Sequence, residues 1–126
     1  MKKIINTPNA PEPIGPYSQA VMAGSFLFLS GQVAINPSNG ELVLDDIKTE
    51  TKQVMENIKA VLIEAGVDFS NIVKTSIFLK DMQNFAQVNE VYGAYFTDQF
   101  PARETVQVAG LPKNVNVEIS VTAFKP

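Results

Sequence analysis

The apolar positions of this chain change period several times, and each change marks a boundary between elements. Ser25-Phe26-Leu27-Phe28-Leu29-Ser30 is a short apolar run between Gly24 and Gly31. Its length, aromatic content and glycine borders predict a strand, with another before it over residues 19–23. Asn36-Pro37-Ser38-Asn39-Gly40 reads as a turn, after which residues 41–44 return as a short strand. From Asp46 the period lengthens. Ile47, Glu50 with Thr51, Val54, Ile58, Val61, Leu62 and Ala65 fall on one stripe of a helix of about five turns. Asp45 or Asp46 supplies its N-cap and Gly66 closes it. Residues 72–79 read as a strand. A second helix is predicted over residues 82–97, with Phe85, Val88, Tyr92, Tyr95 and Phe96 inward and Pro101 blocking continuation. Residues 105–109 and 115–124 complete the strands. The N-terminal stretch, with Pro8, Pro11, Pro13, Pro16 and Gly15, predicts an extended arm whose end packs through Ile14 and Tyr17.

The order β-β-(β)-α-β-α-β-β is an α+β pattern: one domain over residues 1–126, a single mixed sheet with both helices on one face. In the last strand Val115, Val117, Ile119, Val121 and Ala123 alternate with Asn116, Glu118, Ser120 and Thr122. Helices on the apolar face leave the opposite face bare, yet the Phe26–Leu29 strand is apolar on both sides. A half-apolar bare face predicts a homo-oligomer with Glu118 at or near the subunit junction. The alternative is a solvated polar face, which antiparallel sheets commonly have.

Composition narrows the chemistry. A chain of 126 residues buries roughly two-thirds of its unfolded surface without staples. A net charge of −3 gives no general pull toward phosphate backbones or anionic lipid, so no nucleic-acid partner is expected. No stretch approaches the ~18 consecutive apolar residues of a membrane span, and the start lacks the apolar core of a signal peptide. The expectation is a soluble, cytoplasmic protein. There is no Cys, His or Trp. That removes thiol nucleophiles, imidazole bases, and thiolate or imidazole metal sites. No Asp/Glu cluster has calcium-loop spacing, so neither a metal nor a cofactor is expected.

What remains is Arg103, lysine, carboxylates, hydroxyls, backbone dipoles and water. Arg103 is the only arginine among ten cations, in Phe100-Pro101-Ala102-Arg103. Its planar fork matches a carboxylate in a way an ammonium does not, which makes it the candidate grip for a small organic acid. Glu118, in a strand expected to lie nearby, could position a water or move a proton. Together they form a minimal hydrolytic site for an already electrophilic carbon such as an imine. Two plainer readings stand beside this one: Arg103 is solvated or ion-paired, or the two residues pair with each other.

Several segments resemble one known family. Ile14-Gly15-Pro16-Tyr17-Ser18-Gln19-Ala20, Ser30-Gly31-Gln32, Val88-Asn89-Glu90-Val91-Tyr92, Pro101-Ala102-Arg103, and Leu111-Pro112 followed by Val117-Glu118-Ile119 are similar to the reactive intermediate deaminase family (RidA, formerly YjgF). The likeness spans essentially the whole chain. It implies a chorismate-mutase-like fold and homotrimers with three clefts between subunits. The implied activity is hydrolysis of reactive 2-enamine and 2-imino acids, such as 2-aminoacrylate, to 2-keto acids and ammonia, protecting pyridoxal-phosphate enzymes. Carried over residue by residue, Arg103 grips the carboxylate and Glu118 positions water. Tyr17, Ser30, Gly31 and Asn89 line the cleft, and the Phe-Leu strand forms part of an apolar wall favouring small aliphatic side chains. Thr105 stands where many members carry cysteine; the family uses the backbone there. The same cleft would also serve a 2-keto acid sensor without turnover. RNA cleavage and chaperone roles, attributed to relatives, have no separate signal in this chain.

Overall fold

A computed structural model describes residues Met1–Pro126. Six strands form one mixed sheet in the order β1-β2-β3-β6-β4-β5. These are β1 (Lys2–Ile5), β2 (Ala20–Ala23), β3 (Phe26–Leu29), β4 (Ile72–Leu79), β5 (Ala102–Gln107) and β6 (Val117–Phe124), with helices α1 (Ile47–Glu64) and α2 (Phe85–Gly93). All neighbours are antiparallel except β4 and β5, the parallel pair joined through α2. Gly24, at φ +61°, makes the two-residue turn between β2 and β3 that a side chain would strain. Asp46 caps α1 by accepting from the Thr49 N–H at 2.8 Å.

The core lies between the helices and one sheet face. Leu27, Ile77, Leu79, Val117 and Ile119 on the sheet, and Val54, Met55, Ile58 and Leu62 on α1, are fully buried in it. The other face carries Phe26, Phe28, Val106 and Phe124, all exposed in the single chain, beside a Lys74–Glu104 ion pair at 2.8 Å. The sequence alternation in β6 therefore predicts the buried face correctly.

Five expectations need correction. Residues 2–5 form an edge strand on β2 rather than a free arm, a signal carried by only two apolar residues, Ile4 and Ile5. The arm's buried anchor is Thr7 and Ala10, held by Gln19, whereas Ile14 and Tyr17 are exposed. The second helix stops at Gly93 after an opening 3-10 turn at Met82–Asn84. Beyond it the Tyr95 and Phe96 rings turn to pack on Phe69, at 5.0 and 5.7 Å, and tertiary packing overrides the helical pattern. Finally, β5 starts at Ala102, so Arg103 is inside a strand, and the expected strand at 41–44 is reduced to one bridge between Ile35 and Leu42.

A buried carboxylate fastens α1 to the sheet. Glu50 is fully buried and accepts from Asn116 N–H and Nδ2, each at 2.8 Å, and from Val117 N–H at 3.2 Å. These donors lie where the chain enters β6, the strand that carries Glu118. Glu50→Ala strands three donors in the interior, each worth about 1 kcal/mol or more. A loss of about 2–4 kcal/mol in chemical denaturation is expected; a change under about 0.5 kcal/mol would show that water replaces the carboxylate there.

Candidate active site in two halves

The strands place the candidate residues by parity. On β4, Thr75 pairs with Arg103 and Phe78 pairs with Glu118. Residues three apart on one strand face opposite ways, so Arg103 lies on the helix side of the sheet and Glu118 on the bare side. They flank β4 from different neighbours and form no ion pair; the chain's two ion pairs are Lys48–Glu90 and Lys74–Glu104. The readings in which Arg103 is ion-paired, or pairs with Glu118, do not hold within the chain. Nor do β5 and β6 adjoin.

The first half is built by β5 and α2. Arg103 Nη1 donates to Asn89 Oδ1 at 2.7 Å, and its Cζ lies 5.2 Å from the Tyr92 ring centroid and 5.7 Å from that of Phe85. Asn89, Tyr92, Gly93, Phe100, Pro101 and Arg103 line a shallow cavity of about 390 Å³. β5 is an edge strand. Val108 N–H bonds Leu79 O, so alternation turns the N–H groups of Arg103, Thr105 and Gln107 toward the free edge. The Thr105 backbone is thus open to a ligand. Its side-chain Oγ1, by contrast, is buried with no hydrogen-bond partner.

The second half is a cleft of about 410 Å³ containing Tyr17, Ser30, Gly31 and Glu118. Gln19 builds one wall: its side chain accepts from Thr7 N–H and donates to the Thr7, Ala10 and Pro11 carbonyls, fixing the arm that leads to Tyr17. Ser30 donates its hydroxyl to Ser18 O at 2.5 Å, which leaves that oxygen free only to accept. Gln32 and Ile119 exchange backbone bonds and hold Gly31 against β6. A Cβ on Gly31 would sit 2.6 Å from Glu118 Oε2, so the close approach of that carboxylate requires glycine. The Glu118 carboxylate makes no hydrogen bond within the chain, and burial raises its pKa above the ordinary carboxylate value.

The resemblance implies one cleft for all seven residues; within the chain Tyr17, Ser30, Gly31 and Glu118 line one cavity, Asn89 and Arg103 line another, and Thr105 lies two residues along β5 from Arg103. The Phe-Leu strand does not line the Glu118 cleft; Pro11, Ile14, Val33 and Ile35 supply its apolar surface, with Glu12 and Lys113 among the lining residues. Within the chain the pocket is therefore not narrowed by the phenylalanines of that strand. Phe85 and Tyr92 were legible only as the inner face of a helix. Their spacing from Asn89, at i, i+4 and i+7 on one stripe, is the signal that also marks them as neighbours of Arg103.

A six-stranded mixed sheet backed by two helices, with this pair of clefts, sets the chain among α+β proteins of the Rid type. The chain belongs to the family described as Endoribonuclease L-PSP, the YjgF/RidA family, whose model matches residues 7–125. It is 54% identical over 125 residues to a RutC family protein of Pyrococcus horikoshii, covering 99% of each chain. It is 44% identical to the human 2-iminobutanoate/2-iminopropanoate deaminase, over 99% of this chain and 91% of that one. Among solved structures, E. coli TdcF with bound serine superposes with a TM-score of 0.94 at 41% identity, over 98% of this chain and 99% of that one.

Two outcomes are expected at Glu118. A folded-state pKa above the unfolded value means its contribution to stability is fullest below the ordinary carboxylate range. That contribution is lost as pH rises through the folded pKa. Glu118→Gln should therefore raise Tm at neutral pH, with the difference vanishing in acid. A loss of Tm at neutral pH that disappears in acid would instead point to a partner for the carboxylate. Gly31→Ala should push the carboxylate toward solvent and bring its pKa down toward the ordinary value; an unmoved carboxyl 13C titration would show that the backbone at residue 31 shifts instead.

Proposed function

We propose that this protein hydrolyses small 2-imino acids, and the enamines that tautomerise to them, to 2-keto acids and ammonia. The Arg103 half of one copy would meet the Glu118 half of another, in a homotrimer with sites between subunits. The observation that carries this is the split itself: an arginine held on one edge and open on the other, and a half-buried carboxylate without a partner, on opposite faces of one sheet. Family membership and the deaminase relatives support the reaction class.

In this reading the substrate carboxylate sits on the open edge of Arg103 and the outward N–H of Thr105, with Asn89 Nδ2 beside them. Glu118 orients a water toward the protonated imine carbon. The C–O bond forms as a water proton passes to the carboxylate. That proton moves to nitrogen, and the C–N bond breaks as the oxygen lone pair closes the carbonyl and ammonia leaves. The second hydroxyl proton passes to solvent through Glu118. A carboxylate with a raised pKa suits both directions of this transfer. A net charge of −3 and the absence of histidine favour a small metabolite over RNA as the ligand.

The decisive test couples a threonine or serine dehydratase, as the source of enamine, to keto-acid or ammonia release. Acceleration by this protein should vanish in Arg103→Ala and fall at least tenfold in Arg103→Lys, where the bidentate fork is lost. Mixing unfolded Arg103→Ala and Glu118→Gln chains and refolding them together should restore about a quarter of the sites, the random share in which both halves are intact. No restoration would overturn the shared site. No acceleration at all, with Arg103-dependent 2-keto acid binding retained, would move the reading to a metabolite sensor.

A further inference from the structure

The Arg103 guanidinium does not stand alone; one stripe of α2 encloses it. Phe85, Asn89 and Tyr92 occupy i, i+4 and i+7, and all three reach it: two through ring faces, one through a carbonyl oxygen. Tyr92 is 4% exposed and cannot swing, because its hydroxyl donates to Thr75 Oγ1 at 2.9 Å. Thr75, itself fully buried, is the β4 residue paired with Arg103 in the parallel ladder. The chain thus closes a circuit: Arg103 rests on Tyr92, Tyr92 is pinned by Thr75, and Thr75 is locked beside Arg103 through the sheet.

We infer that Tyr92 and Thr75 are positioning residues for the carboxylate clamp. With Phe85 and Asn89 they hold the guanidinium plane so that one edge is spent on Asn89 and the other faces outward, preorganised for a planar anion. A long, flexible side chain loses rotamer freedom when it grips a ligand, and fixing it beforehand lowers that cost. An arginine chosen for its fork gains from the fork having one orientation. The burial that raises the Tyr92 pKa also keeps its ring uncharged beside the cation.

The inference rests on the proposed carboxylate-binding role of Arg103, and the test separates the two. Since the chain has one arginine, side-chain 15N NMR reports on this guanidinium alone. Wild type should show ring-shifted, separately resolved Nη signals from hindered rotation. Tyr92→Leu should average them and weaken 2-oxobutanoate binding about tenfold, with no further loss in an Arg103→Lys background. Tyr92→Phe, which keeps the ring, should recover part of both. Phe85→Leu, at a partly exposed position where folding is secure, should give a smaller change in the same direction. Unaltered Arg103 signals in both Leu variants would overturn the positioning role, as would equal weakening with and without Arg103. Should 2-oxo acids fail to bind wild type while Arg103 mobility still follows Tyr92, the clamp's preorganisation stands and the functional reading falls.

Discussion

The two-residue period of a β-strand governs how this chain distributes its chemistry. Thr75 and Phe78 lie three residues apart on β4 and so face opposite sides of the sheet. Their partners Arg103 and Glu118 inherit that opposition, and no loop movement within one chain can reverse it. A one-residue slip of β5 would turn Arg103 away from α2 and its cradle, while exposing the Thr105 side chain that now faces inward. The register is held by the parallel ladder to β4, whose Ile77 and Leu79 are buried in the core. Both half-sites depend on it.

Much of this was legible beforehand. The period change at Asp46, the cap at that residue and the strict alternation of β6 each reflect a local rule that tertiary packing here reinforces, and they matched the structure closely. The misses share a cause. The end of α2 was overrun because Tyr95 and Phe96 continue a helical spacing while packing on Phe69, a contact between residues far apart in sequence. The edge strand β1 has too few apolar residues to register against a proline-rich neighbour. At the site, Arg103 stood out by its uniqueness and Glu118 by its place in an otherwise neutral alternation. Gly31 was accessible only through the family resemblance, since its role is a close approach that no local pattern encodes.

The bare sheet face and the two incomplete clefts point the same way. Phe26 and Phe124 stack edge to face at 5.4 Å with Phe28 alongside, an apolar patch that a lone chain leaves in water. Glu118 belongs to the same sheet face, on the strand whose Thr122 and Phe124 pair with Phe28 and Phe26. Assembly and the completion of a site would then be one event, with the aromatic patch supplying stability and the clefts supplying chemistry. The Glu118 carboxylate has no hydrogen-bond partner within the chain and its burial is unfavourable for the charged form, while Glu50 fixes the entry to its strand independently.

Helix α2 shows how little extra sequence such a site requires. The helix covers the core with Val88 and the inner edge of Tyr92, as any amphipathic helix of its length would. The same turn offers Phe85 and Asn89 to the strand it crosses over. Because a βαβ crossover sets its helix against both parallel strands, a residue at the start of β5 comes to lie beneath the middle of α2 without any dedicated loop. An arginine at that position meets two aromatic faces and an amide oxygen. A lysine there would keep the charge but lose the planar contact with the rings and the fixed second edge. The chain's use of lysine at every other cationic position, and arginine at this one, has its physical explanation in that geometry.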